Sequence, residues 1–244
     1  MQAIADLLAE REVELDGAAG DDGLARRRAA LTRHLGACYP ELHRLRLHLV
    51  GGGGARRYVA ATGAERDLLA WLLRDGLVAH NGADRYRAAD ADAIRYLNGG
   101  WLEEFAYLAA CAAGAEAASF AQTVRWRAAE FAGANEIDVI ARHGRRLLFV
   151  SCKLAQPWIG EGSEIRAKLR GYLNEAAAMA RHFATPDHTA VLMVSTDLLD
   201  EARGDAPRYA ALFGKAHVLD VDLVGLDHFR WDMLVARFRE LLEA

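Results

Sequence analysis

The sequence predicts an α/β fold in which helices flank a sheet of mixed parallel and antiparallel strands. The segment NEIDVIARHGRRLLFVSCKLA, residues 135–155, has two apolar runs around a short polar turn, which is typical of a β-hairpin. After this hairpin, helix-like and strand-like segments alternate to the carboxyl end. Hairpin strands are antiparallel, whereas strands joined through a helix are usually parallel, so both kinds of pairing are expected in one sheet.

The composition is that of an ordinary globular protein. Of 244 residues, 52% are hydrophobic and 26% are charged; the net charge of -4 gives no overall positive field, so nucleic-acid binding would need a local basic patch. The cysteines Cys38, Cys111 and Cys152 have unrelated spacings, which favours reduced thiols in a cytoplasmic protein. The early acidic residues do not fit a signal peptide, and no stretch of about 18 large apolar residues occurs, so no membrane association is expected.

Residues 1–60 are expected to form a mainly helical region. Residues 2–15 and 23–36 have helical periodicity and are separated by a loop rich in glycine and aspartate. The segment RLRLHLV, residues 44–50, alternates basic residues with leucine and predicts a strand. The glycines at 51–54 predict a turn or linker, because the lysine and hydroxyl residue of a P-loop are missing.

Residues 61–95 predict a winged-helix-like module. The segment 65–88 reads as a leucine-rich helix, an Asp-Gly stop and two short strands. A DNA-reading helix would be exposed and basic, but this helix carries only Arg66 and Arg74. We therefore interpret the module as a structural spacer.

Residues 96–244 are expected to form one α/β domain. Its predicted elements are a helix from Trp101, a strand at 118–128, the hairpin, a helix at 163–183, a strand at 189–196, a helix at 201–213, a strand at 216–221 and a helix at 226–242.

The hairpin carries polar side chains on one of its faces. A two-residue turn at 143–144 or at 144–145 is compatible with the sequence. Because side chains alternate and directly opposed residues share a face, both turns put Asp138, Ser151 and Lys153 on one side, with Glu136. The opposite, core-forming face is expected to take Ile137, Val139, Leu148, Val150 and Cys152.

Acidic residues and a lysine on one sheet face suit metal-assisted cleavage of a phosphodiester bond. Carboxylates bind Mg²⁺ or Mn²⁺, and a lysine can orient water or stabilise charge on the phosphate. A solvated acid and a solvated lysine on an ordinary surface hairpin explain the same spacing equally well. The residues alone leave both readings open.

Three motifs in order, LNGGWLEEF, NEIDVIA and LLFVSCK, resemble those of a known nuclease group. An acid, a hairpin and a [DE]-x-K element are the pattern of the PD-(D/E)XK superfamily. The motif sequences are similar to those in the nuclease domain of the CRISPR-associated CARF endonucleases, which are activated by cyclic oligoadenylate. This resemblance covers about residues 96–244. The resemblance implies a restriction-endonuclease-like mixed sheet flanked by helices, and a metal-dependent endonuclease in CRISPR-linked or other antiviral defence.

Carried over by position, the resemblance makes Glu103, Asp138 and Lys153 catalytic, with Mg²⁺ or Mn²⁺ as cofactor. Ser151 departs from the pattern because it stands at the acid position of [DE]-x-K and brings no charge. Glu164, in the first turn of the next predicted helix, is the expected replacement, so the predicted metal ligands are Asp138, Glu164 and Glu103. The competing reading is that Glu164 only complements the helix dipole. Glu104 is expected to be solvated, and Lys168 to pair with Glu164.

The resemblance also predicts partners. DNA or RNA is the expected substrate, and a homodimer is expected, with Phe229, Leu234 and Phe238 available for either the core or an interface. Only about 95 residues precede the first motif, too few for a complete CARF sensor and a linker module, so activation by cyclic oligoadenylate is not expected to carry over. The alternative function is a weakened nuclease fold that acts as a nucleic-acid-binding or dimerisation module.

Overall fold

The computed structural model describes residues 3–50, 63–80, 86–158, 163–183 and 187–244. The glycines predicted as a turn at 51–54 lie outside these residues. Within the described residues the α-helices are α1 (Ile4–Ala9), α2 (Asp22–Arg27), α3 (Ala29–Ala37), α4 (Tyr39–Leu49), α5 (Gly63–Arg74), α6 (Ala91–Arg95), α7 (Trp101–Ala113), α8 (Ser163–Phe183), α9 (Ala210–Leu219) and α10 (Trp231–Glu243). The strands are β1 (Val13–Leu15), β2 (Val78–His80), β3 (Tyr86–Ala88), β4 (Ala117–Ala128), β5 (Phe131–His143), β6 (Arg146–Lys153), β7 (His188–Val194), β8 (Leu199–Asp200), β9 (Ala206–Pro207) and β10 (Val221–Val224).

One six-stranded mixed sheet organises the molecule, in the order β1-β4-β5-β6-β7-β10. The pairs from β1 through β6 are antiparallel, whereas β6, β7 and β10 are parallel. The strands that follow one another through a hairpin pair antiparallel, and those separated by α8 and α9 pair parallel. The predicted fold class, a mixed sheet flanked by helices, is confirmed.

Each face of the sheet is covered by its own apolar cluster. The first cluster joins α7 and α10 with helices α2 to α6, and the second joins α1, α8 and α9. Phe229, Leu234 and Phe238 are at most 2% exposed and lie in the first cluster, so they serve the core and are not available to an interface. No helix in the described part of the chain is long and apolar enough to cross a membrane.

Helix α7 is the central helix of the first face. A kink within Tyr96–Gly100 precedes it, where Gly99 has the non-helical φ of +157°. The helix ends at Gly114, which adopts a left-handed conformation (φ +105°) that glycine accepts without strain. Its Trp101 is fully buried and stacks on Tyr39 of α4, so the start of α7 is fixed against the amino-terminal region.

The strand predicted at 44–50 is wrong, because these residues belong to α4. Leu42, Leu45 and Leu49 are buried at helical spacing, whereas Leu47 is 58% exposed. The alternation of leucine with basic residues imitates a strand, but Leu42 extends the apolar pattern with a period of three to four, which a helix buries on one side.

Several other predicted boundaries are also wrong. The helix expected at 2–15 ends at Ala9, and Val13–Leu15 joins the sheet beside β4. The helix expected at 23–36 is interrupted at Arg28.

Towards the carboxyl end, the strand predicted at 216–221 is shifted. Helix α9 runs on to Leu219, and Asp220 with φ +55° turns the chain into the strand Val221–Val224. The helix predicted from 201 begins at Ala210, and the last helix begins at Trp231.

The helix and hairpin of the winged-helix-like module are present as α5, β2 and β3. The first apolar cluster runs from Ala25 to Leu242, so it crosses both predicted domain boundaries, at 60 and at 95. The division into three domains stays a prediction.

Candidate active site

The site forms where β5 and β6 stop pairing. Their ladder runs from the His143–Arg146 pair to the Val139–Val150 pair, which selects the turn at 144–145 and places Asp138 level with Ser151. Beyond the ladder, the backbone N–H of Cys152 donates to Oδ2 of Asp138 at 2.7 Å. A carboxylate therefore takes the place of a strand carbonyl and is held at the end of the hairpin.

Strand β5 is also irregular on its other edge at Asp138. Phe120 of β4 pairs with Val139 of β5, and Gln122 of β4 pairs with Ile137 of β5. Ala121, which lies between the two β4 residues, has φ +45°. Val139 lies in the first apolar cluster, but Ile137 lies in the second. The prediction that these two residues share a face is wrong, because the regular alternation breaks at this distortion.

Lys153 lies between two carboxylates. Its Nζ is 3.8 Å from Oδ2 of Asp138 and 3.7 Å from Oε2 of Glu175 on α8. The ammonium also lies 5.8 Å from the centre of the Tyr172 ring. The hydroxyl of Ser151 is 3.5 Å from Asp138, the limit of a hydrogen bond. The structure thus brings Asp138, Ser151 and Lys153 together, as the strand pattern predicts, and adds Glu175.

Glu103 approaches the group from α7. Burial, and then the nearby carboxylates of Asp138 and Glu136, raise the pKa of Glu103 to about 7. Glu103 and Glu136 also line one cavity. Because like charges oppose one another here, the arrangement favours a cation between them.

Asp138 and Cys152 have perturbed proton affinities as well. Burial raises the pKa of Asp138, while Lys153 and the N–H of Cys152 act against that rise. Burial, with the charges of Asp138 and Glu103, raises the pKa of the Cys152 thiol well above its usual range. The thiol therefore stays protonated and is unsuited to act as a nucleophile.

Glu164 does not lie with this group. Its side chain is 82% exposed and pairs with Lys168 at 2.7 Å, as predicted for the two residues as helix neighbours. Glu164 and Glu175 are 11 positions apart on α8 (175 − 164), which is about 16 Å along a helix. Because Glu175 contacts Lys153, the first turn of α8 lies too far along the helix to place Glu164 beside Asp138.

Glu175 is the functional candidate that sequence reasoning missed. The i,i+3 spacing of Tyr172 and Glu175 puts both on one face of α8, and both approach Lys153. That spacing is visible in the sequence. Which turn of α8 passes over the hairpin depends on how the helix crosses the sheet, and the apolar pattern does not give this.

Glu104, expected to be solvated, is buried. It is 3% exposed and accepts two hydrogen bonds from the guanidinium of Arg28, one of them at 2.7 Å from Nε. Arg28 also stacks over the Tyr96 ring. The prediction failed because its partner comes from the start of α3, 76 residues away in sequence.

The donor set suits a hard divalent cation. Among the described residues, no three histidine, cysteine or acidic side chains converge to hold an ion by themselves. Mg²⁺ usually keeps several waters and takes only one or two protein carboxylates together with substrate phosphates. Asp138 and Glu103, which repel each other in the absence of a cation, fit such a site in chemistry and number.

Fold and site together define an α/β protein with a six-stranded mixed sheet and a candidate site at the end of the β5–β6 hairpin. Residues 90–175 match the family model described as Card1-like, endonuclease domain, so the resemblance predicted from the three motifs is confirmed. No curated protein gave a match to the sequence.

Several solved structures share the fold, among them the structures of two proteins. Protein VC1899 from Vibrio cholerae is 15% identical, with a TM-score of 0.68 over 98% of this chain and 61% of its own. Can2 from Sulfobacillus thermosulfidooxidans, in complex with cyclic tetra-adenylate, is 14% identical, with a TM-score of 0.64 over 99% of this chain and 62% of its own. The chain thus spans about three fifths of the length of both proteins.

Proposed function

We propose that this protein is a divalent-metal-dependent endonuclease that cleaves phosphodiester bonds in DNA or RNA, in CRISPR-linked or other antiviral defence. The observation that carries the proposal is the contact of Lys153 with Asp138 at the end of a hairpin, inside a segment that matches a Card1-like endonuclease domain. An acid and a lysine in contact at this point differ from the solvated pair of an ordinary surface hairpin, because both are largely buried, at 14% and 23% exposed.

The proposed ligands of Mg²⁺ or Mn²⁺ are Asp138 and Glu103. When bound, the ion activates water and neutralises charge on the scissile phosphate. Asp138 is oriented for this role by the Cys152 N–H, which fixes Oδ2. Glu103 approaches from α7, so the two proposed ligands are carried by different elements.

Lys153 is proposed to stabilise the negative charge that develops on the phosphate, or to orient the attacking water. Asp138 and Glu175 flank its ammonium and limit where it can point. Glu175, and not Glu164, supplies a second carboxylate near the lysine, where Ser151 supplies none. Ser151 itself is 3% exposed and remains close to Asp138.

The alternative is a weakened nuclease fold that binds nucleic acid without cleaving it. The buried serine at the acid position favours this reading.

Both functions are tested by incubating supercoiled plasmid, single-stranded DNA and single-stranded RNA with the protein in Mg²⁺, Mn²⁺ or EDTA. Cleavage that needs the metal supports the endonuclease, whereas binding without cleavage under every condition supports the alternative.

A homodimer is part of the proposal, although Phe229, Leu234 and Phe238 cannot carry its interface because they are buried in the core. A monomeric mass in light scattering at micromolar concentration would refute it.

An activator is not part of the proposal. The described residues before Tyr96 form helices and short strands, without the alternation of strands and helices that a Rossmann-type sensor has.

A further inference from the structure

A cavity of about 460 Å³ lies beside Lys153. It separates the segment that follows β6 from the first turns of α8, and its walls are Leu154, Ala155, Gln156, Glu164, Ile165, Lys168 and Tyr172. Tyr172 lines the cavity and also approaches the Lys153 ammonium. The cavity therefore adjoins the candidate active site through Tyr172.

The walls of this cavity present the groups that recognise a nucleotide. Tyr172 offers an aromatic ring on which a base of any type can stack. Lys168 offers an ammonium for a phosphate, and Gln156 offers an amide for a base edge. In the free protein Lys168 is bound to Glu164, so a phosphate would have to displace that carboxylate.

The cavity on the opposite side of the site has the wrong charge for a phosphate. It has a volume of about 370 Å³ and includes five acidic residues, Asp21, Asp92, Glu103, Glu104 and Glu136, against two arginines, Arg28 and Arg95. Among the described residues, the walls of the cavity beside Lys153 carry one acidic and one basic side chain, so these walls repel a polyanion less. A substrate strand that reaches Lys153 is therefore accommodated better on the α8 side.

We propose that the cavity between residues 154–156 and α8 binds the nucleotide next to the scissile phosphate. Tyr172 stacks on its base, Lys168 contacts its phosphate, and Glu164 competes with that phosphate for Lys168. The proposal rests on the proposed nuclease function. It gives Glu164 a role opposite to that of a metal ligand, because removing its charge would strengthen substrate binding.

The test is the affinity for a fluorescent single-stranded oligonucleotide, measured by anisotropy in EDTA so that no cleavage occurs. Lys168→Ala should weaken binding by about tenfold and reduce the salt dependence by about one phosphate contact. Glu164→Gln should tighten binding by about threefold, because the ammonium is released from its partner. Lys215→Ala is the matched control: Lys215 lies on α9, where its Nζ contacts the carbonyl of Arg170, and its removal should leave the affinity unchanged.

Both substituted side chains are more than half exposed, so the variants should fold, and circular dichroism checks this. Wild-type affinity in Lys168→Ala, or weaker binding in Glu164→Gln, would overturn the proposed subsite. If the wild type cleaves but Lys168→Ala has no effect on binding, only the subsite fails. If binding depends on Lys168 but no metal produces cleavage, the subsite stands and the nuclease function fails.

Discussion

At the scale of single residues, Glu103 and Glu104 show that adjacent acids can have opposite effects on the fold. Glu104 is neutralised by Arg28, whereas Glu103 lies near Asp138 and Glu136, and its pKa is raised to about 7. A carboxyl whose folded pKa exceeds its unfolded value of 4.5 destabilises the fold only when it is charged. The destabilisation by the Glu103 charge is absent below about pH 4.5, grows as the pH rises and is complete above about pH 7.

We predict that Glu103→Gln stabilises the metal-free protein at pH 8, by on the order of 1–3 kcal/mol, and has little effect at pH 4.5. Thermal melting at both pH values measures this. Glu104→Gln is the neighbouring control and should destabilise by about 3 kcal/mol, because it leaves Arg28 without its charged partner. Stabilisation by Glu103→Gln that is equal at the two pH values would contradict the electrostatic cause.

The two glutamates of α8 give a second prediction at this scale. Glu175→Gln should lower the cleavage rate by at least about tenfold, because Lys153 loses one of the two carboxylates that orient it. Glu164→Gln should leave the metal concentration needed for half-maximal cleavage unchanged. Metal titrations of both variants test this, and a higher metal requirement in Glu164→Gln alone would restore Glu164 as the ligand.

At the scale of elements, the sequence predicted the hairpin and α8 well because their patterns are local. The apolar runs of β5 and β6 and the turn between them identify the hairpin, and the helix predicted at 163–183 is observed as Ser163–Phe183. The distortion at Asp138 was not predicted, since it depends on how β4 pairs with β5 around Ala121. Helix α4 was missed because Leu45, Leu47 and Leu49 alternate as in a strand, although Leu45 and Leu49 also have helical spacing.

The helical assignment of α4 is tested by two leucine substitutions. Leu45→Ala should cost about 2–5 kcal/mol of unfolding free energy, because Leu45 is fully buried. Leu47→Ala should cost less than about 0.5 kcal/mol, because Leu47 is 58% exposed. Urea denaturation measures both values. In a strand Leu45 and Leu47 would share one face, so similar costs for the two variants would argue against the helix.

At the scale of the whole molecule, the amino-terminal helices support the active site. The hydroxyl of Tyr39 in α4 donates to the carbonyl of Ala155, two residues after Lys153, and Ser195 after β7 also bonds Ala155. Tyr39 further packs against Trp101 and Phe229. The motifs of the carboxyl-terminal part predicted its chemistry, but nothing local in the sequence indicates that residues before 96 complete its core.

We therefore predict that a fragment of residues 96–244 does not fold cooperatively. The fragment would expose Trp101 and Phe105, which are buried in the same apolar cluster as residues of α3 and α4 in the intact chain. The expected result is a broad thermal transition and a loss of near-ultraviolet circular dichroism in comparison with the full chain. A sharp, reversible transition of the fragment would establish residues 96–244 as an independent domain.

Asp138 and Lys153 are proposed to form a metal-dependent nuclease site. Single-turnover cleavage of a labelled oligonucleotide by Asp138→Asn tests this proposal most directly, because asparagine keeps an oxygen that can accept from the Cys152 N–H but removes the charge. We predict a rate reduced by about 10²-fold or more in saturating Mg²⁺ or Mn²⁺, with an unchanged melting profile or a slightly stabilised one. Cleavage by Asp138→Asn at the wild-type rate would contradict the proposal.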